Sequence, residues 1–130
     1  MGSPSQHSLS ARRQAMRITF LLSGGFAGRI QGCRIDTADL PHADRSRLEA
    51  LVAASGLSGR QELFTDAGRD LRRYGLVIEA ESLSVRLECD ERTAPPDARP
   101  LLAALAARAT PQPLSFELPA PPETRQPRDA

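Results

Sequence analysis

Residues 16–35, MRITFLLSGGFAGRIQGCRI, decide the fold. Ile18, Phe20 and Leu22 share one face of an extended strand, because side chains alternate with period two. Gly24 and Gly25 accept a positive φ at little cost, which lets the chain reverse after Leu22 and return as a second strand ending near Ile35. Phe26 is carried on that turn between Ser23, Gly24 and Gly25 on one side and Ala27 and Gly28 on the other. An aromatic ring on a glycine-rich tip is either a cap on the core or an anchor for a partner. The residues leave both readings open.

Outward from the hairpin, Asp36, Asp39 and Pro41 give a turn signal before a helix over residues 42–54. Leu48, Leu51 and Val52 fall on one face of that helix, and Gly56 stands where a C-terminal cap belongs. Residues 56–70 are expected as loop, with a short helical turn around residues 61–64. A third strand follows over residues 73–80, with Tyr74, Leu76, Ile78 and Ala80 on one side. The fourth, over residues 83–90, points Leu83, Val85, Leu87 and Cys89 inward and Ser84, Arg86, Glu88 and Asp90 to water. These two form a hairpin, although Glu81 and Ser82 lack the glycine of a tight primed turn. Pro95 and Pro96 open a second helix, whose stripe is Leu101, Leu102 and Leu105.

The expected architecture is α+β: a four-stranded antiparallel sheet covered on one face by two main helices, in the order β-β-α-(loop)-β-β-α. Residues 1–14 are Ser-rich and polar and are expected as a disordered leader. Residues 15–109 make the domain, and residues 110–130 a disordered Pro-rich tail. Within that tail, Leu114-Ser115-Phe116-Glu117-Leu118 is an apolar knot suited to docking, on a partner or on its own domain.

The 130 residues suit one domain, and a formal charge of +1 argues against a general nucleic-acid binder. All 17 basic residues are arginines, and acids interleave with them, so no basic patch accumulates. No apolar run approaches the roughly 20 residues of a membrane span, and the N-terminal stretch lacks a signal-peptide core. A cytoplasmic protein is expected. Cys33 and Cys89 then read as free thiols on strands; a disulfide would need strands two and four to be neighbours.

A catalytic constellation is not expected. His7 lies in the leader and His42 at a helix start, and no CxxC or HxxxH spacing offers a metal site. Ser23 lacks the GxSxG context of a nucleophile elbow, and no GK[ST] follows Gly28 to make a phosphate loop. Asp36 with Asp39, and Asp90 with Glu91, sit at turns where solvated acids are ordinary. Asp66 and Asp70 balance Arg69, Arg72 and Arg73. No enzyme activity, metal or cofactor is expected.

RITFLLSGGFAG (17–28), IDTADLP (35–41), RLEALVAASG (47–56), YGLVIE (74–79) and TAPPDARPLLAAL (93–105) together resemble the emfourin family of bacterial protease inhibitors. The resemblance implies a small cytoplasmic protein, monomeric when free. Its partner would be a protealysin-like, thermolysin-type zinc metallopeptidase. It further implies that Ser23, Gly24, Gly25 and Phe26 enter the peptidase cleft, with Ala27 and Gly28 setting the loop's geometry. Thermolysin-like clefts favour a large apolar side chain just after the scissile bond, a place Phe26 would take. The leader and the tail exceed the compact family domain. The alternative is a non-inhibitory interaction module or adaptor using residues 114–118.

Overall fold

The computed structural model describes residues 15–24, 29–64 and 71–120. They form a two-helix α+β domain around a six-stranded mixed sheet. The strands are β1 (Arg17–Gly24), β2 (Ile30–Asp36), β3 (Gly59–Leu63), β4 (Arg72–Glu79), β5 (Ser84–Asp90) and β6 (Thr110–Gln112), in the spatial order β3-β5-β4-β1-β2-β6. The helices are α1 (His42–Ser55) and α2 (Arg99–Arg108). The α+β class and two helices agree with the sequence. The sheet is wider than the four antiparallel strands expected.

The expected pairings sit at its centre. β1 runs antiparallel to β2, with Ile18 opposite Ile35 and Phe20 opposite Cys33. It also runs antiparallel to β4, with Ile18 opposite Ile78 and Phe20 opposite Leu76. β4 pairs with β5, and their connection closes through the Ala80 amide donating to the Leu83 carbonyl at 2.9 Å. Cys33 and Cys89 are therefore on β2 and β5, with β4 and β1 between them. Three strand steps of ~4.8 Å put them far beyond disulfide reach, and both are free.

Two strands correct the expectation. Residues 59–63, expected as loop and helical turn, are β3, which lies parallel to β5 with Gln61 opposite Leu87. Every residue of β3 is exposed, so no apolar alternation marks it. Gly59 enters it with φ +67. Residues 110–112, expected as the start of a disordered tail, are β6, which extends the sheet beyond β2.

One face of the sheet packs on the helices. Ile18, Phe20, Leu76, Ile78, Val85, Leu87 and Cys89 meet Leu48 and Val52 of α1 and Leu101, Leu102 and Leu105 of α2. Phe20 stacks near Tyr74, ring centroids 6.1 Å apart. Burying a side chain of this size contributes ~1.5–3 kcal/mol, so this layer holds the domain together. α1 ends at Gly56, whose φ of 68 gives the left-handed cap expected from the sequence. α2 is preceded by a 3-10 turn, Pro96–Ala98, and begins with Pro100 in its first turn.

The opposite face is also covered, by the chain itself. After β6 a turn closes as the Phe116 amide donates to the Pro113 carbonyl at 2.9 Å. The chain then runs across the back of the sheet. Phe116 is buried over Gly32 of β2, and the side chain of Leu118 lies over Gly75 of β4. Arg34 places its guanidinium 4.3 Å from the Phe116 ring centre and donates to the Glu117 carbonyl. Arg86 donates to the Pro119 carbonyl. This strap explains why Val77, on the back of β4, is buried. The domain thus continues past Ala109, the boundary the composition suggested.

Candidate functional site

β1 delivers the glycine-rich turn to one end of the sheet. Ser23 is half-buried opposite Arg73, and Gly24 is exposed opposite Arg72. Gly24 has φ +89, and a Cβ built there would lie 2.7 Å from the Leu71 carbonyl oxygen. Both the conformation and the space therefore require glycine. Gly25, Phe26, Ala27 and Gly28 lie outside the described residues. The chain is picked up again at Arg29, exposed, and Ile30, which starts β2.

The two feet of the turn stand on a braced floor. The Arg72 amide donates to Glu91 Oε1 at 2.7 Å, and the Glu91 amide returns a bond to the Arg72 carbonyl at 3.0 Å. After β5 the chain is locked by Asp90, expected to face water but in fact 1% exposed. Its Oδ1 accepts from the Arg92 and Thr93 amides, each at 2.9 Å. Burial of a carboxylate is tolerable because such charge-assisted bonds replace its water. The Thr93 hydroxyl accepts from the Asp90 amide at 3.0 Å and contacts the Leu63 carbonyl, which ties the end of β3 to the same corner.

Leu22, Ser23, Gly24, Arg29, Gln31 and Arg72 line a hollow of about 260 Å³ at this end. Beside it, Phe64 is 45% exposed, with the Arg73 guanidinium 5.3 Å from its ring centre. Sequence reasoning missed Phe64 and Arg73 as parts of this end. The one available signal was an aromatic residue in a stretch otherwise lacking an apolar face. Among the described residues the end offers apolar surface and guanidinium groups, the materials of a protein interface.

Among the described residues, no three of His, Cys, Asp and Glu converge in a way that would hold a metal ion. His42 lies at the start of α1, its Nδ1 3.3 Å from Arg45 Nη2. Desolvation raises both thiols above their ordinary range; for Cys89, with Asp90 adding and Arg99 opposing, the value reaches about 11. A thiol so protonated is a weak nucleophile at neutral pH. No described helix is long and apolar enough to cross a membrane.

Comparison with known families gives a match to the family described as Emfourin over residues 21–106. No curated protein and no solved structure matches the chain.

Proposed function

Because this chain belongs to the emfourin family, whose members are metallopeptidase inhibitors, we propose that it blocks a bacterial thermolysin-type zinc metallopeptidase with its β1–β2 turn. Ser23, Gly24, Gly25 and Phe26 enter the cleft, Phe26 filling the apolar pocket beyond the scissile bond. Ala27 and Gly28 let the chain turn back. The inhibitor acts as a monomer in the cytoplasm, on a protealysin-like target, and contributes no metal of its own.

The observation that carries this reading is the way Gly24 leaves the sheet. It stands at the end of a central strand, hydrogen-bonded on both sides to β2 and β4, at the rim of the domain. A turn held by two strands loses little freedom on binding, which favours tight association from a standard-sized contact. The adaptor reading is less well supported, because Phe116, its central residue, is buried on the chain's own sheet.

The test is residual activity of a thermolysin-type peptidase on a peptide substrate, titrated with the full chain after preincubation. Stoichiometric loss of activity, absent with serine or thiol peptidases, is expected. Phe26→Ala should weaken inhibition by ~2 kcal/mol or more while leaving the melting temperature nearly unchanged. Lost stability with inhibition retained would assign Phe26 to the core instead.

A further inference from the structure

Gly32 and Gly75 lie inside strands, where glycine weakens a sheet unless something approaches closely. Here something does. A Cβ on Gly32 would lie 2.6 Å from the Phe116 ring, and one on Gly75 would lie 2.7 Å from Leu118 Cδ1. The two missing side chains make two seats on the back of the sheet, and the strap fills both. Arg34 and Arg86 fasten its carbonyls on either side.

The seats are on different halves of the sheet. Phe116 rests on β2, the limb by which the chain leaves the glycine-rich turn, whereas Leu118 rests on β4. The two limbs of that turn are not equally secured. β1 is paired along its whole length with β4, from Arg17 to Gly24. β2 has β1 on one side, and on the other only three residues of β6, opposite Ile30, Gln31 and Gly32. Gln112 adds a bond from Nε2 to the Gly32 carbonyl at 3.1 Å. The strap therefore braces the weaker limb, two residues from where the turn ends.

We propose that residues 113–119 are a positioning strap for β2, the exit limb of the β1–β2 turn, tying it to β4 and β5 so that this limb is already held when the chain meets its target. Phe116 and Leu118 are its positioning residues; neither touches the target. The strap lies beyond the family-matched residues 21–106. The positioning role rests on the inhibitor reading, and the test separates the two.

Full-length Phe116→Ala and Leu118→Ala are compared with the unmodified chain in two measurements. The first is amide hydrogen exchange across residues 30–36 and across β5, with no target present. The second is dissociation from a thermolysin-type peptidase. Both variants should exchange faster in β2 than in β5. They should leave the peptidase about tenfold faster with association nearly unchanged, because pre-ordering acts chiefly on dissociation. Phe116→Leu should recover much of the wild-type behaviour. Leu118 is only partly buried, so its variant keeps the test open if Phe116→Ala fails to fold. Unchanged exchange in β2 overturns the strap. Faster exchange with unchanged dissociation, while Phe26→Ala still weakens binding, overturns its positioning role alone. If the unmodified chain forms no complex, the inhibitor reading falls and the positioning role falls with it, whatever the exchange shows.

Discussion

Gly32 and Gly75 both face the strap, yet a methyl group added to each would strike different things. At Gly32 the new Cβ lies 2.5 Å from the Phe20 carbonyl oxygen, as well as against the Phe116 ring. Backbone of a central strand cannot withdraw without disturbing its own ladder. At Gly75 the close atom is the end of a flexible leucine side chain, which can turn aside. Gly32→Ala should therefore cost ~2–3 kcal/mol, and Gly75→Ala no more than about 1 kcal/mol. Thermal unfolding checks this, since 1 kcal/mol shifts the midpoint of a domain this size by ~4–8 °C. Equal losses at the two positions would mean that the Phe20 contact is relieved more easily than its geometry suggests.

At the scale of elements, the corner formed by Asp90 and Thr93 joins three strand ends. Thr93→Val keeps the shape of the side chain and removes the hydroxyl that serves the Asp90 amide and meets the Leu63 carbonyl. It should cost ~1–2 kcal/mol, read by denaturant unfolding, as hydrogen-bond partners are left unmet. β3 should fray first, seen as faster exchange of its amides. The sequence made the central strands and both helices legible through apolar faces: Ile18-Phe20-Leu22, Leu76-Ile78, Val85-Leu87-Cys89, Leu48-Leu51-Val52 and Leu101-Leu102-Leu105. It concealed β3 because an exposed edge strand, Gly59-Arg60-Gln61-Glu62-Leu63, buries nothing and so carries no period. β6 is too short and proline-containing to signal itself. The strap's seats are marked by absent side chains, which no hydrophobic pattern records. Of the candidate site, the glycine signal put Ser23 and Gly24 in a turn after Leu22, whereas β1 runs on through Gly24. The contribution of Phe64 and Arg73 depends on β3 ending at that corner, which a loop assignment could not supply.

For the molecule as a whole, the buried thiol of Cys89 links folding to alkaline pH. The native state holds its proton up to about 11, against an ordinary value of 9.0. Above pH 9 the unfolded chain releases a proton that the folded chain retains, so folding stability is present below that point and falls as pH rises towards 11. Two pH units at ~1.4 kcal/mol each set the full loss at roughly 3 kcal/mol. Unfolding free energies measured between pH 8 and 11 should show this decline, and Cys89→Ala should reduce it, leaving the contribution of Cys33. The same protonation predicts that Cys89 resists alkylation at pH 8 in the native protein and reacts once the chain is unfolded.

The strand order has a kinetic consequence. β1 completes its ladder only with β4, so the first hairpin must wait for a strand made much later in the chain. Meanwhile Ile18, Phe20 and Leu22 have formed an apolar face with neither helix nor sheet to cover it. Contacts between distant segments slow folding, towards the millisecond-to-second range of sheet-rich domains, and lengthen the interval in which such a face is open to other chains. Refolding yield should therefore depend steeply on protein concentration, with the earliest-made hairpin as the point of self-association.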